Sequence, residues 1–170
     1  MTTRTPLILD PDQYRFDDSL GYLIGKLRGF IMQALDGELE ELGITAAQGI
    51  MLIRIGLGAE STAAALCRRS GYDTGSMTRM LDKLEDKGFV VRERSTEDRR
   101  VIKLRLSESG EGLCSQITQR ACRMMEPRLE GFSQEEYELL KSLLRRLLDN
   151  AVRLAPTEHA SSDPIEGGVE

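Results

Sequence analysis

The sequence predicts a mainly α fold with a small β part (α+β), in which helices from both ends of the chain flank a central unit. Three observations predict it. Apolar residues recur at spacings of three and four over 17–42 and again over 107–154, the period of an amphipathic helix. Between them, Gly71 separates two short apolar-striped segments. Two runs of alternating character then span 89–106, joined by the polar stretch Ser95–Arg100, which reads as a β-hairpin.

Each element has its own signal. Residues 1–16 contain Pro6 and Pro11 and read as an extended arm. Leu20, Ile24, Leu27, Ile31, Leu35 and Leu39 stripe a first helix over 17–42, which Gly43 ends. Thr45 and Gln48 have the spacing of a capping box and open a second helix to about Ile55, broken by Gly56 and Gly58. Ser61 is expected to cap a third helix, Thr62 to Arg69, and Gly71 makes the turn. Asp73 caps a fourth helix, Thr74 to Lys87, with Met77, Met80, Leu81 and Leu84 as its buried stripe and Gly88 as its stop. Phe89–Arg94 and Val101–Leu106 are the two strands. In the second, Ile102, Leu104 and Leu106 face one way and Lys103 and Arg105 the other. After Ser107 a fifth helix carries Leu113, Ile117, Ala121 and Met124 and ends or kinks at Pro127. Ser133 and Glu136 form a second capping box, opening a sixth helix with Tyr137, Leu140, Leu144, Leu147 and Ala151 on one face. The acidic tail 155–170 is short of apolar residues and is expected to be disordered.

Composition excludes several functions. The single histidine, His159, lies in the tail, and Cys67, Cys114 and Cys122 contain no CxxC pair. Neither a zinc site nor a Ser/His/Asp triad has the residues it needs, so no catalytic residue, metal or cofactor is expected, and the chain does not read as an enzyme. Tryptophan is absent, which argues against a stacking platform for single strands. No apolar run reaches the roughly 18–20 residues that span a bilayer. The first twelve residues lack a basic stretch followed by an apolar one. These features point to the cytoplasm and to no membrane partner.

The charge is unevenly placed. The chain carries −5, yet Cys67 to Arg105 holds 11 Lys/Arg against 7 Asp/Glu, a local excess of +4. Such a segment attracts phosphate, although an ordinary solvated face has the same look. In a helix-turn-helix the second helix enters the major groove with its N-terminal residues towards the base edges. Here Thr74 and Ser76 are short donors at that end and Gly75 lets backbone come close. Arg79 is long enough to reach a guanine edge, and Lys83 a phosphate. The alternative is a plain amphipathic surface helix. The hairpin tip, Asp98-Arg99-Arg100, shifts the balance, because a ribbon following a reading helix brings arginine to the adjacent minor groove. Asp98 either orients an arginine or caps the turn, and capping is the simpler explanation.

These residues carry a resemblance. Thr74-Gly-Ser-Met-Thr-Arg-Met-Leu-Asp-Lys-Leu84, then Lys87-Gly88, then Asp98-Arg-Arg100 running into Val101–Leu106 and Ser107-x-x-Gly110, resemble the MarR family of transcriptional regulators. In helix order the resemblance extends from Asp17 to Leu154. It implies a winged helix-turn-helix over 61–106, and a helical dimerisation lobe formed by 17–60 and 107–154. It further implies a homodimer on a pseudo-palindromic double-stranded operator. Such a dimer acts as a repressor released by a small ligand, often a phenolic or aromatic acid, or by thiol oxidation. The ligand would sit between the two lobes, where Tyr14, Arg15, Ser19, Tyr22, Arg28 and Arg54 supply polar groups and an arginine could pair a carboxylate.

The chain departs from the family at its cysteines. Members that sense peroxide carry a reactive cysteine near the start of the first helix, and none precedes Cys67 here. A copper- or oxidant-responsive position near the end of the reading helix is Asp86. Cys67 reads as a small core residue. A thiol-controlled regulator, and a winged helix that meets an acidic protein instead of DNA, are the alternative functions. Gly21, Gly25 and Gly29 recur every four residues along the first helix, each costing about 1 kcal/mol relative to alanine. Either another helix packs closely there or the missing side chains leave a cavity.

Overall fold

A computed structural model describes residues 8–58 and 62–154. The tail 155–170, the first seven residues of the arm and Ser61 lie outside the described residues. Six helices and one hairpin follow in the expected order: α1 Leu20–Leu39, α2 Ala46–Gly56, α3 Ala63–Ser70, α4 Thr74–Asp86, β1 Val90–Arg94, β2 Ile102–Leu106, α5 Glu108–Met125 and α6 Gln134–Leu154. Short 3₁₀ turns flank α1 at Phe16–Asp18 and Glu40–Leu42, which accounts for the longer helix read from the periodicity. No helix among the described residues is long and apolar enough to cross a membrane.

The caps are those the sequence points to, with one correction: α3 begins at Ala63, one residue later than expected, and its cap is Thr62 in place of Ser61. Thr45 and Gln48 make both halves of the capping box that opens α2. At α3, Thr62 accepts from the backbone N–H of Ala65 at 3.2 Å and so serves as the cap itself. Gly71, at φ +72°, ends α3 in the left-handed region and turns the chain into α4 within two residues.

The first compact unit runs from the N-terminus to Arg128. Its core gathers Leu35 and Leu39 from α1, Met51, Leu52 and Ile55 from α2, Leu66 from α3 and Met77, Leu81 and Leu84 from α4. Val90, Leu104 and Leu106 join from the hairpin, and Leu113, Ile117 and Met124 from α5. The helix-turn-helix therefore shares one core with α1, α2 and α5. Helix α2 approaches its neighbours closely: a Cβ on Gly49 would stand 2.9 Å from Leu39 and 3.5 Å from Ile117. Arg120 of α5 donates to the carbonyl of Glu38 and pairs with Glu41, fastening α5 to the end of α1.

The start of α1 is different. Leu20, Leu23, Ile24, Leu27 and Phe30 are exposed, so the apolar stripe is buried only over its second half. A Cβ added at Gly21, Gly25 or Gly29 would meet nothing within 4 Å. Among the described residues of the first unit no helix packs on that side. The second unit, from Leu129, holds α6, opened by the Ser133 and Glu136 capping box. None of the residues of α6 is buried.

Candidate nucleic-acid interface

The first turn of α4 is organised by Asp73. Its carboxylate accepts the backbone N–H of Ser76 at 2.8 Å, satisfying one of the donors that a helix start leaves open. The Ser76 hydroxyl and backbone N–H, helped by the Arg79 charge, hold the Asp73 carboxyl below its ordinary range. Arg79 donates from Nη2 to the Ser76 hydroxyl at 3.1 Å. Its guanidinium thus lies back along the helix start in the free protein, and a Cβ on Gly75 would already sit 3.5 Å from Nη1. Thr74, Gly75 and Arg79 are exposed and Ser76 is half-buried. Met77, Leu81 and Leu84 on the opposite face are buried, which fixes which side of α4 faces outward. Lys83 is exposed one turn further on. It lines a shallow cleft with Asp36, Glu40 and Asp86, at the far end of the helix from Asp73.

The hairpin is antiparallel, with Val90 opposite Leu106, Arg92 opposite Leu104 and Arg94 opposite Ile102. Leu104 and Leu106 are buried, while Ile102, nearest the tip, is exposed. The tip is ordered from within. Ser95 donates its backbone N–H to the carbonyl of Val101 at 2.9 Å, and its hydroxyl accepts from Glu97 and Asp98. Asp98 accepts the backbone N–H of Arg100 at 2.9 Å. That is an Asx-type turn, the capping role that the sequence favoured. Arg99 and Arg100 are exposed, and no carboxylate pairs with either among the described residues.

The base of the hairpin behaves differently. Arg92 reaches Asp82 at 2.7 Å and Glu85 at 2.8 Å, both on α4. Arg105 forks onto Glu93 of the facing strand at 2.6 Å and 3.1 Å. The hydrogen bond between them lowers the Glu93 pKa and raises that of Arg105. Lys103 stands 3.7 Å from Glu97, and Lys87 donates to the carbonyl of Gly43. Several of the eleven cations counted in this segment are therefore structural. The count could not separate them, because their partners lie on other elements.

The residues read as ligand groups are only partly brought together. Ser19 caps α1, donating to the carbonyl of Phe16 and accepting from Tyr22, whose ring packs on Phe16 with centroids 5.1 Å apart. Arg15 makes a loose pair with Asp17 at 3.9 Å, Tyr14 and Arg28 are exposed, and Arg54 is half-buried on α2. None of the six lines the cleft of about 660 Å³ between α2, β2 and α5, whose walls include Ile53, Leu57, Leu104, Leu106 and Cys114 with Arg105 among its polar groups. Sequence reasoning did not find this cleft, since its walls come from four separate elements, β1 adding Glu93. Burial, with Glu111 adding to it, pushes the Cys114 thiol up, away from the reactive thiolate.

Comparison with known proteins places this geometry. The sequence model of the MarR family matches residues 42–101, from the end of the turn after α1 to the hairpin tip. Wild-type MarR from E. coli in its apo form is 31% identical over 76% of this chain and 97% of that one, with a TM-score of 0.67. A cysteine-to-serine variant of E. coli MarR complexed with operator DNA is 32% identical over 76% of this chain and 93% of that one, with a TM-score of 0.68. A putative MarR family transcriptional regulator from Listeria monocytogenes, complexed with a 26mer DNA, shares the fold at 20% identity, covering 80% of this chain and 91% of that one with a TM-score of 0.74. With identity above 30% sustained across almost the whole of E. coli MarR, and a family model that matches residues 42–101, this chain belongs to the MarR family of transcriptional regulators.

Proposed function

We propose that the chain is a homodimeric, sequence-specific binder of double-stranded DNA that regulates transcription, most simply as a repressor. The observation that carries this reading is the pairing of an open helix start with an unpaired cationic tip. Thr74, Gly75 and Arg79 stand exposed at the start of α4 beside half-buried Ser76, and Arg99 and Arg100 stand exposed on a turn that Asp98 and Ser95 keep in shape. In the proposal α4 lies in the major groove, with Arg79 turning from Ser76 to a base edge and Lys83 to a phosphate, while Arg99 and Arg100 reach the next minor groove. Residues 61–106 form this reading lobe, and 17–60 with 107–154 the dimerisation lobe. Two features support the dimer: the exposed apolar first half of α1, and an α6 whose leucines are all left exposed. Two subunits would then read a pseudo-palindrome in half-sites one helical turn apart.

The test is binding to the duplex upstream of the chain's own gene against a scrambled duplex of equal length, at moderate ionic strength, together with sedimentation of the free protein. Preference for the native duplex and a dimer mass are expected. A monomer, or equal binding to both duplexes, overturns the reading.

Release by a small aromatic or phenolic acid is part of the same proposal. What supports it is the apolar wall of the cleft between α2, β2 and α5, where a bound acid would take the place of Glu93 on Arg105. Tyr14, Arg15, Ser19, Tyr22, Arg28 and Arg54 are the competing location. A thermal-shift screen of such acids tests the idea, since a ligand selective for the folded state raises its stability. Loss of the shift in Arg105→Ala, or instead in Arg28→Ala or Arg54→Ala, tells the two places apart.

A further inference from the structure

We infer that Arg92 is the positioning residue that holds the wing in register with the reading helix, and that it does so without touching DNA. The inference rests on the proposed reading of α4 and the hairpin as one DNA-binding surface. Strand β1 leaves α4 through only Lys87, Gly88 and Phe89, with Gly88 at φ +73° and the Phe89 N–H bonded to the Leu84 carbonyl, which ties the base of the hairpin and leaves the lean of the ribbon beyond it to side-chain contacts. Arg92 shares a strand face with buried Val90 and stands opposite buried Leu104. Its side chain is 28% exposed, a position where an unpaired charge is costly. Asp82 and Glu85, three residues apart on one face of α4, meet its two terminal nitrogens at 2.7 Å and 2.8 Å. One planar guanidinium thus spans two carboxylates on the neighbouring element, a geometry that lysine's single ammonium does not reproduce.

Among the described residues, Arg92 makes both of the ion pairs that join the hairpin to α4. The other pairs of the hairpin, Arg105 with Glu93 and Lys103 with Glu97, stay within it and stiffen it without fixing its angle. The tip lies on the order of 10 Å beyond Arg92 at the rise of a strand. A small rotation at the base therefore carries Arg99 and Arg100 away from a groove that Arg79 continues to address. Holding that angle before binding removes an ordering cost from association.

Binding of the full chain to its operator duplex tests this in combined variants. Arg92→Gln is expected to weaken binding about tenfold while leaving the salt dependence unchanged, because no phosphate contact is lost. The loss should disappear in a background that already carries Arg99→Ala and Arg100→Ala, and persist in full in an Arg79→Ala background. Arg92→Lys should restore only part of the affinity. Asp82→Asn with Glu85→Gln leaves Arg92 in place and removes its anchors. This pair should also weaken binding, provided the tip arginines are present, and it carries the test if Arg92→Gln fails to fold. Unchanged affinity in Arg92→Gln, or a loss that adds fully to that of the tip pair, overturns the inference. So does a salt slope smaller by about one, or tighter binding after the two acids are neutralised, since either outcome makes Arg92 a phosphate contact. If the unaltered chain has no preference for the duplex, the DNA reading itself fails and Arg92 has no wing to position.

Discussion

At the base of the hairpin, Arg92 is clasped by two carboxylates at 2.7 and 2.8 Å and Arg105 by one at 2.6 and 3.1 Å, whereas at its tip Arg99 and Arg100 carry none among the described residues. The same side chain thus serves two purposes within one short ribbon. A guanidinium with a partner contributes shape and little attraction at a distance. One without a partner contributes field and leaves its own position to the turn beneath it. The +4 counted over Cys67–Arg105 does not lie at the tip. By position, 67–72 carries +2, 88–94 +1 and 101–105 +2, while 73–87 sums to −1 and the tip 95–100 to zero, so what sets the tip apart is that its arginines have no carboxylate partner among the described residues.

The contrast is broken most severely at the base. Gly110 opens α5 beneath the hairpin, and a Cβ there would stand 2.1 Å from the carbonyl oxygen of Phe89. The Ser107 hydroxyl donates to the carbonyl of Gly88 at 2.6 Å and accepts from the Gly110 N–H at 3.0 Å, so the backbone has no freedom to move away. Gly110→Ala should cost about 2–3 kcal/mol of stability, seen as a lower denaturation midpoint, with any loss of binding following from unfolding. A midpoint like that of the unaltered chain would mean that the hairpin base yields more easily than its contacts imply.

The tip should show the opposite pattern. Arg99→Ala with Arg100→Ala is expected to leave thermal stability within about 0.5 kcal/mol, as surface changes do. Affinity for duplex should fall about tenfold or more, and the slope of log K against log salt should shrink by about two. Both quantities come from one salt titration. Arg79→Ala sharpens the distinction along a different axis. It should remove about 1–3 kcal/mol of discrimination at one base pair of each half-site, with a smaller effect on scrambled duplex. A selection from randomised half-sites reads this directly, and an unchanged preference would remove Arg79 from the reading face.

Much of this was legible beforehand, for local reasons. Caps, stops and stripes are written within a few residues of where they act: Asp73 before Thr74, Gly71 in its left-handed turn, Thr45 with Gln48, Met77 with Leu81 and Leu84. Even the role of Asp98 followed from its neighbours, because an Asx turn closes within two residues. What could not be read spans elements. Nothing in the strand Val90–Arg94 announces that Arg92 turns inward to Asp82 and Glu85 while Arg94 stays exposed. The cleft walled by Leu57, Leu106 and Cys114 has no sequence signature for the same reason. The glycines of α1 make the point from the other side. Their spacing suggested close packing or a cavity, yet among the described residues of the first unit a Cβ on Gly21, Gly25 or Gly29 would meet open space.

The smallest effect concerns the one carboxylate placed at the start of α4. Hydrogen bonds from Ser76 hold Asp73 in its charged form, so its pKa in the folded chain lies below that of an unfolded aspartate, about 3.9. A depressed carboxyl contributes stability that is complete above the unfolded value and is lost as pH falls through the folded one. Asp73→Asn keeps an accepting oxygen for the Ser76 N–H but does not titrate. At neutral pH the variant should melt slightly below the unaltered chain, because a negative charge at a helix start is favourable. The gap should narrow as pH is lowered from about 5 towards 3. The same substitution should tighten duplex binding, since it removes the one negative charge in the first turn of the reading helix. A constant gap in melting temperature across that range would show that the cap acts by geometry alone. Asp73 would then belong with the clasped arginines of the hairpin base as a shaping residue, and the exposed tip would be left to supply the field.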